Sequence, residues 1–201
     1  MADQNSSPSQ VSKFEELLEK AAVYQELASE NYDRVRRIAE GIQSGFCKFL
    51  NSSDGACVRL VPPQGPFQPK LYGDEAFSMP SRGFRHIAPI AFGLAVRVTH
   101  ETDWIRAVLI CSKQGEHFNV AIMEGQSHDF ELPFTDDDHQ EFYQALFQHF
   151  MDWLDERIDN YREGSYSRTS IGFDFSDESH LGDGLAPDVD SLTAAQDKQN
   201  S

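Results

Sequence analysis

The sequence predicts an α+β fold with a long N-terminal helical arm, an antiparallel meander sheet of four to five strands, and a C-terminal amphipathic helix packed on one face. Three observations lead to this class. Apolar residues recur in steps of three and four over residues 12–50, the spacing of a helix. Short β-rich runs separated by turn residues follow over residues 90–132. A second apolar stripe of helical spacing occupies residues 142–161, and its Trp153 is predicted to join that helix to the core.

The same patterns divide the chain into four parts. Residues 1–11 are predicted to be a disordered leader, and residues 12–50 are predicted to form the helical arm. Residues 56–163 form the α+β domain, and residues 164–201 are an acidic tail. Six of the nine prolines fall in the segment 62–89 of the domain. Because proline interrupts helices, this segment is predicted to be an ordered, irregular covering.

Charge is distributed unevenly along the 201 residues, which carry 33 acidic and 17 basic side chains and a net charge of −16. Residues 1–115 hold 13 of each sign, so the rest of the chain carries the whole excess. This balance argues against direct binding of nucleic acid, which needs clustered cations, and against anionic membrane surfaces. An acidic region of this kind is either a solvated face or a docking surface for a basic partner.

The helical arm begins with a capping box at Ser12 and Glu15. A continuous helix over residues 13–50 would be about 57 Å long at 1.5 Å per residue. A compact domain of about 150 residues is only about 40 Å across. The helix therefore either breaks, with Gly41 and Gly45 as the candidate positions, or projects beyond its own domain.

A projecting helix needs a partner for its apolar stripe, and a coiled-coil homodimer would supply one. The alternative is a helical hairpin folded back on the sheet. The interface residues predicted from the stripe are Phe14, Leu18, Tyr32 and Val35.

A further interface element is predicted in the tail. Ile171, Phe173 and Phe175 alternate with small or acidic residues, which is the period of a strand with one apolar face. The segment 171–175 is therefore expected to dock as an added strand, on an open edge of its own sheet or on a partner. Its own sheet is favoured, because an uncovered edge invites aggregation.

One polar constellation in the sheet could bind an anion. Strand alternation places several cationic or polar side chains on one sheet face, and these candidates are Arg97, Arg106, His117 and Asn119. Together they could hold a carboxylate or a phosphate. The alternative, which we favour, is a set of cross-strand pairs with Asp129 and Glu131.

Three cysteines, Cys47, Cys57 and Cys111, are widely spaced and form no CxxC pair. This pattern predicts reduced, structural thiols in a cytoplasmic protein and no zinc site. The first ten residues lack the basic start and apolar stretch of a signal peptide.

The sequence contains no phosphate-binding loop, dinucleotide fingerprint, nucleophile elbow or zinc-protease motif. It therefore predicts a non-enzymatic cytoplasmic interaction module with a protein partner and without cofactor or metal: an adaptor, a chaperone-like protein or an inhibitor. Two alternatives stay open. One is an acidic mimic of DNA that inhibits a nucleic-acid enzyme. The other is a sensor or enzyme for a small anionic ligand, using the face of Arg97 and Arg106.

Overall fold

The computed structural model describes residues 12–51, 56–79, 83–99, 103–131, 139–164 and 174–175. Within these ranges it contains two long helices and six strands: α1 (Lys13–Phe49), β1 (Val58–Val61), β2 (Ile90–Arg97), β3 (Trp104–Gln114), β4 (His117–Ile122), β5 (Ser127–Phe130), α2 (Gln140–Arg162) and β6 (Asp174–Phe175). This arrangement confirms the predicted α+β class. The expected disordered leader lies outside the described residues.

The sheet is an antiparallel meander in which β1 to β5 lie side by side in chain order, as predicted. The pairing of β3 with β4 ends at Leu109. Beyond that point β6 pairs with β3, opposite Ile105 and Arg106. The last two residues of the predicted docking strand 171–175 thus lie on this chain's own sheet, and residues 171–173 fall outside the described ranges.

Helix α1 is continuous and does not break at Gly41 or Gly45. Its capping box is complete, because the Ser12 hydroxyl accepts from the Glu15 amide at 3.2 Å and the Glu15 carboxylate accepts from the Ser12 amide at 2.7 Å. Its 37 residues make a helix about 55 Å long. The two expected alternatives were a helix that breaks and a helix that projects beyond its own domain. The structure shows the second.

Gly45 allows the two helices to approach each other closely. A Cβ atom at this position would overlap the hydroxyl group of Tyr143 in α2. Tyr143 is only 1% exposed, and its ring centroid lies 6.2 Å from that of Phe46. The glycine is thus a packing requirement inside an otherwise regular helix.

The main core lies between one face of the sheet and the two helices. Its sheet residues include Phe92, Leu94, Leu109, Val120 and Phe130, all fully buried. The α2 residue Phe142 packs edge-on against Phe130 with the ring centroids 5.0 Å apart. Trp153 is 6% exposed and belongs to the same core, as predicted from its place in the helical stripe.

The opposite face of the sheet is covered in part by the proline-rich segment. Phe67 is 1% exposed and packs with Val61, Ala95 and Trp104 in a smaller cluster on this side. The burial of Phe67 shows that a segment too rich in proline for a long helix still contributes an apolar core of its own.

The same segment is also bonded to α1. Asp74 accepts hydrogen bonds from the Tyr32 hydroxyl and from Arg36, both at 3.0 Å. The Arg85 guanidinium lies 4.2 Å from the centroid of the Tyr32 ring. Burial and the hydrogen bond to Asp74 raise the pKa of Tyr32 to about 12. This phenol therefore stays neutral and bonded throughout the physiological pH range.

A disulfide joins Cys47 near the end of α1 to Cys57 at the start of β1. The expectation of three reduced thiols is therefore wrong for two of them. The reason is geometric: the chain reverses between α1 and β1 and brings the two Cα atoms within 5.7 Å, which suits a disulfide. Cys111 is the free, buried cysteine.

Reduction of this disulfide should lower the free energy of unfolding by about 3 kcal/mol, because the bond closes a loop of about ten residues in the unfolded chain. Urea unfolding with and without dithiothreitol measures the difference. A Cys57→Ser variant should show the same loss and no response to the reductant. Equal midpoints for the wild-type protein under both conditions would contradict the prediction.

Candidate interaction surfaces

The four polar candidates lie on one face of the sheet but in two separate places. Arg106 stands opposite Ala95, and Asn119 stands opposite Ser112. Along β3, Arg106 and Ser112 are six residues apart, which corresponds to roughly 20 Å. The expectation of one shared anion site is therefore not met, because strand parity fixes the face of a side chain and not its position along the strand.

Two of the candidates form surface pairs across neighbouring strands. The Asn119 amide donates to Asp129 at 2.8 Å. His117 Nδ1 lies 3.3 Å from the Glu131 carboxylate, and both of these side chains are more than half exposed. These contacts are the cross-strand pairs of the favoured interpretation. Exposed pairs of this kind add little to stability.

Arg106 is buried and hydrogen-bonded within the protein, so its side chain is not available to bind a ligand. It is 2% exposed. Its guanidinium donates to the carbonyl oxygens of Pro62 at 2.9 Å and Gly65 at 2.8 Å, and lies 4.9 Å from the centroid of the Phe67 ring. Gly93 in β2 leaves space for this side chain, because a Cβ atom at that position would lie 2.8 Å from Arg106 Cδ. Arg106 thus fastens the proline-rich covering to the sheet.

Cys111, the free cysteine of the described residues, is not suited to act as a nucleophile. Burial raises the pKa of the Cys111 thiol to about 12, so the thiolate nucleophile does not form near neutral pH. No three His, Cys, Asp or Glu side chains gather at a place that could hold a metal ion in this part of the chain. No helix in the described ranges combines the length and the apolar content needed to cross a bilayer.

The N-terminal turns of α1 leave the protein body and carry an uncovered apolar stripe. Every residue from 12 to 20 is exposed, and the first buried residue of the helix is Ala28. Phe14, Leu17 and Leu18 are 66%, 64% and 52% exposed. With the partly exposed Ala21 they form one helical face, since they are three and four residues apart. We call residues 12–23 the projecting turns and these four side chains the arm stripe.

The proline-rich segment contacts α1 just beyond the projecting turns. The Gln25 side chain exchanges two hydrogen bonds with the backbone of Arg85, at 3.0 and 3.1 Å. The Tyr24 hydroxyl accepts from the Ile87 amide at 2.9 Å, and its ring stacks on Phe84 at 5.5 Å. These contacts hold the base of the projecting turns, and they give the arm stripe a fixed direction.

Two predicted interface residues belong to the chain's own core. Tyr32 is 2% exposed and Val35 is fully buried, because from Ala28 onwards the stripe of α1 faces its own sheet. Their expected place in an intermolecular seam is therefore corrected. Of the two tail candidates, Phe173 lies outside the described residues, and the backbone of Phe175 pairs opposite Ile105.

An apolar groove opens at the other end of α1, between α1, the end of β2 and α2. It has a volume of about 520 Å³, and Arg97 at the end of β2 contributes to its polar rim. We call it the α1–α2 groove; its apolar walls are formed by Leu50, Val98, Phe147, Phe150, Met151 and Leu154.

Helix α2 contributes to the groove through a second apolar stripe that the sequence analysis assigned to the core. The buried stripe contains Phe142, Leu146, Phe150 and Trp153. About 90° around the helix, the second stripe repeats at steps of four and three and consists of Phe147, Met151, Leu154, Ile158 and Tyr161. Ile158 and Tyr161 are 45% and 71% exposed. The sequence carries a signal for this second stripe, because the apolar pattern of α2 is broader than the face that a helix buries against a sheet.

The described residues define an α+β protein with an uncovered apolar helical stripe at one end of α1 and an apolar groove at the other. Comparison of the chain with protein-family models, with curated proteins and with solved structures finds no match.

Proposed function

We propose that this protein is a non-enzymatic interaction module that binds a helical surface of a protein partner through the arm stripe. The supporting observation is the exposure of Phe14, Leu17 and Leu18 on projecting turns whose base is held in place. Monomeric proteins bury most large apolar side chains of a helix, and contiguous exposed ones mark binding surfaces. An amphipathic helix of this kind is suited to pack against an apolar groove or a second helix.

The size of the stripe sets a limit on the affinity it can supply. Full burial of each large apolar side chain is worth at most about 3 kcal/mol, so the three contribute at most about 9 kcal/mol before the cost of association. Micromolar binding alone needs about 8 kcal/mol. The arm stripe therefore needs additional contact area to form a stable complex.

The two alternative functions would use parts of the protein other than the arm stripe. An acidic mimic of DNA would use residues 116–163, which hold 13 acidic and 2 basic side chains. A sensor or enzyme for an anionic ligand would need Arg97 and Arg106 together, and Arg106 is bonded to Pro62 and Gly65. The apolar arm stripe supports the interaction module over both.

The cytoplasmic location stays a prediction. It depended in part on reduced thiols, and the Cys47–Cys57 disulfide removes that support.

Gel filtration of the protein in lysate of its native cells tests the proposed function. We expect the wild-type chain to elute in a complex and Leu18→Glu to elute as a monomer, because a charge in an apolar contact is costly. Val23→Glu is the matched control: its side chain is 53% exposed against 52% for Leu18, and it lies about 180° around the helix from Phe14. Identical elution of the two variants, or a monomeric wild-type protein, would overturn the proposal.

Raising the salt concentration of the same experiment separates the acidic-mimic alternative. A complex held by the arm stripe should persist in 1 M NaCl (about 3 Å Debye length), because apolar burial does not depend on charge. A complex with a basic partner should dissociate.

A further inference from the structure

Building on the proposed function, we infer that the surface bound by the arm stripe is the α1–α2 groove of a second copy of this chain. Two copies would exchange their projecting turns and form a two-fold dimer. The inference rests on the presence, in one chain, of an uncovered apolar helix and an uncovered apolar groove that match in chemistry and length.

The two surfaces match as a pair of packing helices. The projecting turns, residues 12–23, are about 18 Å long, and the second stripe of α2 from Phe147 to Tyr161 is about 21 Å long. Both stripes repeat at steps of three and four, which is the pattern that lets side chains of one helix enter the gaps of another. Phe14 and Leu18 supply large side chains, while Ala21 leaves room for a bulky neighbour.

The positions of the two surfaces on α1 favour a closed dimer. The arm stripe lies at the N-terminal end of this helix, and the groove is lined by Phe46 and Leu50 at its C-terminal end. A two-fold axis across the middle of α1 makes the two copies of the helix antiparallel. Each set of projecting turns then lies beside the partner's groove, and both contacts form at once, as in an isologous interface.

Because the arm–groove contact forms twice in the dimer, it also supplies the buried area that a stable interface needs. A stable interface buries about 1,200–2,000 Å² in total, and one short helix in one groove falls below this range. Two reciprocal contacts provide twice the buried area and twice the apolar contribution of the arm stripe. This satisfies the need for additional contact with the arm stripe and the α1–α2 groove alone.

Charge does not drive this association. The projecting turns contain Glu15, Glu16 and Glu19 against Lys13 and Lys20, so they are slightly acidic. The exposed surface of α2 outside its two apolar stripes is also acidic, with Asp152, Asp155, Glu156 and Asp159 against Arg157 and Arg162. Because salt screens this repulsion, the dimer should become tighter as the salt concentration rises.

Sedimentation velocity of the purified full-length protein over a concentration series is the first test. We expect a dimer of twice the 22.7 kDa chain mass for the wild-type protein. Leu18→Glu in the arm stripe and Met151→Glu in the groove should each weaken dimerisation about 100-fold or more, since each places a charge in an apolar contact. The controls Val23→Glu and Gln144→Glu make the same charge change at exposed positions outside both surfaces, and should leave the dimer intact.

Mixing the two weakened variants tests the exchange itself. A heterodimer of Leu18→Glu with Met151→Glu retains one unaltered contact, between the arm of the second chain and the groove of the first. The mixture should therefore associate more tightly than either variant alone. Packing of the two arms against each other predicts a different pattern. Met151→Glu alone would then dimerise like the wild-type protein, and mixing would bring no rescue, because each heterodimer would contain the altered arm of the Leu18→Glu chain.

The outcomes separate this inference from the proposed function. A dimer that Leu18→Glu dissociates and Met151→Glu does not would overturn the groove as the binding surface and leave the interaction module standing. If Leu154→Glu, a second variant in the wall of the groove, also leaves the dimer intact, the same conclusion holds. A wild-type protein that stays monomeric at high micromolar concentration would overturn the second copy as partner, whatever the lysate experiment shows.

Discussion

Replacement of Trp153 by alanine should lower the free energy of unfolding by about 3–5 kcal/mol, which is the usual cost of removing a large aromatic side chain from a core. Trp153 is 6% exposed and belongs to the core between the sheet and the helices. The Arg157 guanidinium lies 5.4 Å from the centroid of its ring and covers its outer side. The substitution would leave a cavity that neighbouring side chains fill only in part.

Chemical unfolding in urea, followed by far-UV circular dichroism, measures this loss. Gln144→Ala is the matched control, because Gln144 lies on the same helix at an exposed position outside both apolar stripes. Its effect on the free energy of unfolding should stay within about 0.5 kcal/mol. Equal midpoints for the two variants would show that α2 is not attached to the core through Trp153.

Replacement of Arg106 by alanine should have an effect of similar size, a loss of about 3–5 kcal/mol. The guanidinium makes two hydrogen bonds to backbone carbonyls, and hydrogen bonds of a charged group contribute about 1.5–3 kcal/mol each. Removal of the side chain would leave the Pro62 and Gly65 carbonyls without this donor. Arg106→Lys should recover only part of the loss, because an ammonium group lacks the planar, delocalised guanidinium that lies 4.9 Å from the centroid of the Phe67 ring.

Arg97→Ala serves as the control, since Arg97 is partly exposed at the end of β2. It should cost less than about 1 kcal/mol. Limited proteolysis adds a local readout: Arg106→Ala should expose the covering around Phe67 to cleavage, and Arg97→Ala should not. If Arg106→Ala keeps the stability and the protease resistance of the wild-type protein, Arg106 does not hold this segment, and an anion-binding role regains support.

Local patterns in the sequence were sufficient to predict the helices and strands and their order along the chain. The capping box at Ser12 and Glu15 predicted the start of α1. The turn residues between the β-rich runs predicted the meander. Alternation along the strands placed Arg106 and Asn119 on the same face of the sheet.

Features that depend on distant parts of the chain were not predictable in this way. The spacing from Phe14 to Ala21 is the same as that from Ala28 to Val35, so periodicity could not show where α1 leaves the core. The fold of Pro62 and Gly65 over Arg106 follows from tertiary packing and leaves no trace in the alternation.

The disulfide and the groove could not be predicted from the sequence for the same reason, since both depend on tertiary structure. The pairing of Cys47 with Cys57 depends on the direction of the chain between α1 and β1, which spacing does not encode. The apolar pattern of α2 was read as one stripe, although the residues around Phe150 face the core and Ile158 and Tyr161 are exposed. A comparison of stripe width with the width that a sheet can cover would have separated them.

The central claim, that the arm stripe is a binding surface, is tested most directly by site-specific photo-cross-linking in the native cell. A photoreactive phenylalanine analogue is placed at Leu17, which is 64% exposed on the stripe, or at Val23, which is 53% exposed on the opposite side of the helix. We predict a discrete protein adduct from position 17 and none from position 23. An adduct joined to the α2 segment of a second copy would identify the groove. No adduct at position 17, or equal adducts at both positions, would contradict the claim.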